Sequence, residues 1–252
     1  MKQLSYLVGA LVAAVSLLPF CFLFLRSFWD GGVTLQPYYD VFLSTSRYLD
    51  SFWRSLGLTC TVAAGQLMVS VPAGFCFAKR SFPGKRILAF LLVALLVLPV
   101  QVTLVPNYLM LKNLGLLNTY AALILPALFA PLGTFLLGQS FRSIPNALLD
   151  AAQLDGCGTI GLLWRIVMPM RKGTMACVAI LAFLDAWNMV EQPLAYLRSF
   201  QEYPLSVGLA YAAPQGVAVQ MVCCLLAALP PLFLFAFFSQ DLVDGIVLGE
   251  VK

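Results

Sequence analysis

Six apolar runs, each close to the length of a lipid-spanning helix, leave this chain few folds to choose from. They are Leu4–Leu25, Leu56–Ala78, Ile87–Leu111, Tyr120–Leu137, Thr174–Leu197 and Gly216–Phe238. A helix needs roughly 20 mainly apolar residues to cross the hydrocarbon core of a bilayer. The runs are continuous rather than alternating, which disfavours a transmembrane barrel. With 61% hydrophobic and 10% charged residues and a mean hydropathy of +0.91, the chain carries more oil than a soluble core uses. The first run is longer than a signal-peptide core and no small-x-small cleavage site follows it, so it reads as a membrane helix. The expectation is an all-α integral membrane protein of six transmembrane helices, a single transmembrane domain over residues 1–252.

Basic residues set the orientation, because cytoplasmic loops retain Lys and Arg. With a cytoplasmic N-terminus, the inside segments hold Lys2, Lys79, Arg80, Lys85, Arg86, Arg142, Arg165, Arg171, Lys172 and Lys252. The outside segments hold only Arg26, Arg47, Arg54, Lys112 and Arg198. Both termini are therefore expected in the cytoplasm. The Lys79–Arg86 cluster reads as a topology signal that touches anionic membrane lipid. A net charge of +4 is what such loops give, so no nucleic-acid partner is expected.

Several chemistries are poorly served. The chain has no histidine, which removes imidazole catalysis and most zinc sites. Its seven cysteines form no Cys-x-x-Cys pair, and most fall inside the apolar runs, where a thiol acts as a small apolar side chain. No metal site is expected. The longest polar stretch, Ser27 to Ser55, is shorter than the roughly 40 residues an independent domain usually needs. The only Gly-Lys pair, Gly84-Lys85, lacks both the upstream glycine and the following Ser or Thr of a phosphate-binding loop. No catalytic residue and no bound cofactor are expected, so energy for any driven work comes from a partner.

Between the fourth and fifth runs lies a segment patterned like helix, Pro145 to Pro169. Pro145 suits a first helical turn, with Ser143 as a candidate N-cap. Leu148, Ala151, Ala152 and Leu154 are expected on one side, with Asp150, Gln153 and Asp155 facing away. Gly156 suits a left-handed C-terminal cap. Thr159 is then placed to cap a second short helix that Pro169 stops. Helices this short are marginal alone, so the segment reads as a docking surface. An amphipathic helix lying on lipid is the rival, but such helices carry Lys and Arg on the polar face rather than acids.

The same residues resemble the EAA loop of permease subunits in bacterial ATP-binding-cassette (ABC) importers, specifically the carbohydrate-type, MalG-like family. The pattern appears as Pro145, Asp150-Ala151-Ala152, Leu154-Asp155-Gly156 and Ile166 to Pro169. Asp150 stands for the family's glutamate, Cys157 for its alanine, and the proline usual a few residues after Pro169 is absent. Flanking matches include Leu98-Pro99, Val105-Pro106, Leu114 to Thr119, Trp187-Asn188 with Gln192-Pro193-Leu194, and a tail from Gln240 to Lys252. Val190 stands where an aromatic is usual.

The resemblance implies a type I ABC importer permease fold whose cytoplasmic coupling helix lies in a loop at 143–172. It implies two ABC ATPase subunits that bind ATP and Mg, a second homologous permease subunit and an extracytoplasmic solute-binding protein. The setting is the bacterial cytoplasmic (inner) membrane, and the cargo a sugar, oligosaccharide or related polyol. Asp150, Ala151, Ala152, Leu154, Asp155, Gly156 and Pro169 are the implied ATPase-coupling residues.

Asp185, Trp187 and Asn188, expected near the middle of the fifth span, are candidates for the solute path, since an ionisable group there faces a cavity or a partner. An ion pair with a neighbouring subunit explains Asp185 equally well. Gln101 and Asn107, beside Pro99 and Pro106, are further path candidates, although a helix that simply ends near Pro106 is the plainer reading. The rivals to an importer permease are an ABC importer for another solute class, a secondary transporter and a membrane enzyme. The secondary transporter would need paired charges in repeated halves. The enzyme would need a constellation of reactive groups that the sequence does not offer.

Overall fold

The computed structural model describes residues 2–44, 47–199, 202–209 and 216–247. The tail matches at Gly249, Val251 and Lys252 lie outside them. Apart from one isolated bridge between Trp29 and Val33, regular structure among the described residues is helical. In chain order the helices are α1 (Lys2–Ser27), α2 (Gln36–Tyr39), α3 (Arg47–Lys79), α4 (Lys85–Val97), α5 (Val100–Asn113), α6 (Ala121–Leu128) and α7 (Pro131–Arg142). There follow α8 (Asn146–Leu154), α9 (Thr159–Leu162), α10 (Met168–Met170), α11 (Lys172–Trp187), α12 (Glu191–Tyr196), α13 (Leu205–Gly208) and α14 (Val217–Val247). Wider π-type turns cover Asp40–Ser44 and Leu163–Val167.

Among the described residues, four stretches are long and apolar enough to cross a membrane: Tyr6–Ser27, Tyr48–Lys79, Ala121–Arg142 and Val217–Ser239. The count reaches six when two bent pairs are each taken as one span. The third run is one such pair, with α4 and α5 meeting at 109°. The break falls at Leu98, whose extended backbone (ψ 126°) is what a following proline imposes. Pro106 lies inside α5, so the expectation that the helix ends near Pro106 is corrected. There the preceding Val105 stays helical and only one ladder bond is lost.

The fifth run is also not one helix. α11 stops at Trp187, because Asn188 turns its amide Nδ2 back onto the Leu184 carbonyl at 2.8 Å and caps the end. Its 16 residues reach about 24 Å, short of the ~30 Å hydrocarbon core. Asp185 therefore sits in the last turn of a helix, not near the middle of a span.

The chain divides into two compact units, residues 1–55 with 202–232 and residues 56–201 with 233–252. In the first, Val41, Val219, Val222 and Cys223 form a small core bordered by Tyr38 and Tyr48. The Tyr48 hydroxyl donates to the Cys223 carbonyl at 3.1 Å, and Ser55 Oγ accepts from the Leu205 N–H at 2.6 Å. In the second, α3 and α7 pack closely through glycine. A Cβ on Gly74 would stand 3.0 Å from the Gly138 nitrogen, and one on Gly133 would stand 2.6 Å from Ser70 Oγ. Small residues at such contacts are how helices approach in lipid. Ser140 and Thr174 add a buried hydroxyl pair at 2.9 Å between α7 and α11.

Candidate functional site

The loop expected to dock is an ordered part of the second unit. Its helix α8 starts after Pro145, which occupies the N-cap with extended backbone (ψ 134°) and not the first turn. Ser143 is not the N-cap. Its hydroxyl donates to the Ser140 carbonyl at 2.8 Å and accepts from Arg171 Nη2 at 2.6 Å, so it closes α7 instead. At the other end Gly156 takes φ +82°, the left-handed conformation that glycine adopts at no steric cost. Its N–H bonds the Gln153 carbonyl, and the Cys157 N–H bonds Ala152, both at 3.0 Å. These two bonds make a Schellman cap.

Thr159 does not cap the second helix. Gly158 holds the N-cap position, and Thr159 Oγ1 accepts from Arg80 Nη2 at 2.7 Å. The helical path then runs from Thr159 to Met170 through the widened turn Leu163–Val167. A wider turn just before Pro169 spares its ring the clash with a carbonyl one turn back. Pro169 thus lies within the last turn. The stop comes at Arg171 (φ −124°, ψ 32°), where the path bends by 85° into α11.

Which side of α8 packs inward differs from the expectation. Leu149 is buried in a core with Val71 and Phe75 of α3, Leu137 and Phe141 of α7, Leu162, Val167 and Val178, and Ala152 packs against it. Leu148, Ala151 and Leu154 face outward, and Leu154 is 90% exposed. At about 100° per residue, 149 and 152 share one face while 148, 151 and 154 share the next. Asp150, Gln153 and Asp155 are exposed, as are Ile160 and Trp164 on the second short helix. The loop is therefore anchored by one apolar face and offers another.

Two cations from the end of α3 hold this loop, a role the sequence did not suggest. Lys79 Nζ donates to the carbonyls of Arg142 (3.2 Å) and Ile144 (2.5 Å) and to Asn146 Oδ1 (2.9 Å). Arg80 reaches Thr159, and Lys85 Nζ holds the Arg80 carbonyl at 2.8 Å. Both residues read as topology signals because a run of basic residues carries no sign of which carbonyls it meets.

The path candidates are only partly brought together. Asp185 and Asn188 line a cavity of about 400 Å³ with Gln66, Ala130, Gly133 and Leu136 among its walls. Asp185 has no hydrogen bond or ion pair to the described residues. Gln66, which sequence reasoning missed, points its amide toward the Ala130 carbonyl at 3.5 Å. Trp187 is not on this cavity; it is buried and stacked on Phe183 with centroids 5.6 Å apart. Gln101 and Asn107 are elsewhere too. Gln101 Nε2 donates to Glu191 Oε1 at 2.7 Å, and Asn107 lies beside the Tyr196 hydroxyl, which donates to the Leu104 carbonyl at 3.3 Å. They tie α5 to α12.

Residues 70–247 match the family described as binding-protein-dependent transport system inner membrane component. The chain belongs to that family. It is 30% identical over 228 residues to the arabinooligosaccharides transport system permease protein AraQ of Halalkalibacterium halodurans, covering 89% of this chain and 82% of the relative. The sn-glycerol-3-phosphate transport system permease protein UgpE of Brucella melitensis is 28% identical over 203 residues, covering 79% and 72%. Among solved structures, a bacterial ABC transporter involved in import of the acidic polysaccharide alginate aligns with a TM-score of 0.83 over 95% of each chain, at 18% identity.

The fold is thus that of a type I ABC importer permease, and the chain is a multi-pass inner-membrane component. It is a permease subunit of a binding-protein-dependent ABC importer and not itself the ATPase, since hydrolysis lies on separate subunits. Solute-binding protein and ATPase are its functional partners.

Proposed function

We propose that this permease admits a neutral oligosaccharide, sugar or related polyol, and is driven through the loop Ser143–Lys172 by two ABC ATPase subunits. The observation that carries this is the loop itself, which is bolted into the core through Leu149, Leu162 and Val167 yet leaves Leu154 almost fully exposed. An ordered apolar tip flanked by Asp150 and Asp155 suits a cleft that supplies donors. Ala151 allows close approach at that surface, Ala152 seats the helix on the core, Gly156 sets the angle of the two short helices, and Pro169 lies in the last turn before the bend at Arg171. ATP and Mg belong to the ATPase subunits, and this chain takes no cofactor.

Asp185 and Asn188 offer the solute path hydrogen-bond acceptors and donors on a cavity wall. Trp187, next to Asn188 and stacked on Phe183, would support that wall, while Gln101 and Asn107 serve the path only by bracing α5 against α12. The saccharide class is supported by the relatives named for arabinooligosaccharides. The sn-glycerol 3-phosphate for which the UgpE relatives are named stands second, since they are less identical to this chain than the AraQ relatives are. A second homologous permease completes the membrane pair, and both termini lie in the cytoplasm.

The test is to tag the chain in its native host, extract it in mild detergent and identify what accompanies it. A second permease and an ATPase are expected. The system's binding protein is then titrated with arabinooligosaccharides and with glycerol 3-phosphate, and tighter retention of the saccharide is expected. A chain that purifies alone and still moves solute after reconstitution overturns the reading.

A further inference from the structure

Where a helix ends, its last carbonyls lack intrahelical partners and carry the negative end of the helix dipole. At the end of α7 those acceptors are met by the side chain of a distant residue, Lys79, at the end of α3. An ammonium has three donors, and all three are used here: the Arg142 carbonyl, the Ile144 carbonyl and Asn146 Oδ1. Every acceptor is neutral, and all three lie within Arg142–Asn146, from the last residue of α7 to the first of α8. Charge-assisted bonds of this kind are about twice as strong as neutral ones.

The next residue, Arg80, reaches past the Gly156 corner and bonds Thr159, the first residue of the second short helix. Consecutive residues of one helix end therefore hold the two arms of the loop separately, one on each side of its glycine turn. A pure topology signal needs charge but no particular acceptors. A saturated donor set on one corner and a bond to the other arm ask for a mechanical role.

We infer that Lys79 and Arg80 are positioning residues that make the end of α3 move with the coupling loop, so that displacement of the loop is passed to the membrane helices. The inference rests on the loop being the ATPase contact. With Lys79 and Arg80 in place the loop and α3 shift as one body; without them only the apolar contacts of Leu149, Leu162 and Val167 join the two, and less of the loop's motion reaches α3 and the cavity wall at Gln66.

The complex as isolated, binding protein included, is trapped with ATP, magnesium and vanadate. Two quantities are read: nucleotide retained, and the change in amide hydrogen exchange across α3 and α11. In the wild type both respond. Lys79→Met and Arg80→Ala should keep the ATPase and retain the same nucleotide, while the exchange response shrinks about fivefold, the low end of typical coupling between sites. Thr159→Val should match Arg80→Ala, and the Arg80→Ala/Thr159→Val pair should be no worse than either alone.

An undiminished exchange response in Lys79→Met and Arg80→Ala overturns the inference. So does a loss of retained nucleotide in step with the exchange response in the mild Thr159→Val, which would mark ordinary folding support. A wild-type complex that traps nucleotide with no exchange response overturns the coupling reading itself, and this inference with it.

Discussion

Gly156 separates backbone strain from crowding with unusual clarity. Its φ of +82° is unfavourable for residues with a side chain, yet a Cβ built there meets nothing within 4 Å. Substitution therefore costs through conformation alone. Gly156→Asn should be tolerated best, Gly156→Ala should cost about 1 kcal/mol, and Gly156→Val more. Solute uptake should fall in the same order, and Gly156→Trp should uncouple hydrolysis from uptake. Normal uptake and ATPase stimulation in Gly156→Trp would refute this. Leu154 tests the opposite property. Being 90% exposed, it contributes little to the fold of the free chain, so Leu154→Asp should leave thermal stability in detergent unchanged. If its side chain is buried on docking, about 1.5–3 kcal/mol is lost with it. ATPase affinity should then drop at least about tenfold, as measured by titration of the isolated ATPase onto the permease.

At the scale of elements, the packing of α7 against its neighbours sets the next expectation. A Cβ on Gly133 would lie 2.6 Å from Ser70 Oγ and 3.0 Å from Val178 Cγ1, so it is squeezed from α3 and α11 at once. Gly133→Val should destabilise by about 2 kcal/mol, as overpacked cores do. Gly57→Val, where nothing lies within 4 Å, should cost little in packing. Denaturation of the two variants in the same detergent distinguishes them, and equal stability would refute the close-packing account. Element existence was legible because long apolar runs and the Pro145–Gly156 pattern are local signals. The broken third and fifth runs were not, since two prolines in one run do not say which gives way. Leu98 yielded before Pro99 while the turn at Pro106 held. Likewise the inward face of α8 was misjudged by one residue, because Leu148 and Leu149 are equally apolar and only the core formed by Phe75, Phe141 and Val178 selects between them. The contacts of Lys79 are long-range, so no local pattern could show them.

For the whole molecule, two sets of hydrogen bonds pair the connections by side. Lys79 and Arg80, after the second span, touch residues 142–159, after the fourth, so those two connections share a side. The Asn118 N–H, after the third span, bonds the Tyr196 carbonyl at 2.9 Å, which joins the connections after the third and fifth runs. Alternation of sides is thus carried by hydrogen bonds as well as by counting helices. The absolute sign comes from charge. Lys79, Arg80, Lys85, Arg86, Arg142, Arg165, Arg171 and Lys172 belong to the first pair of connections, and only Lys112 and Arg198 to the second. Since cytoplasmic connections retain the basic residues, the loop with Gly156 should face the cytoplasm. A green fluorescent protein joined after Lys252 should fluoresce, and alkaline phosphatase fused near Asn118 should be active while a fusion near Cys157 is not. The reverse pattern would place the apolar tip at Leu154 on the side where no ATPase can reach it. It would refute the coupling role of the loop along with the orientation, because only a cytoplasmic Leu154 can meet a cytoplasmic engine.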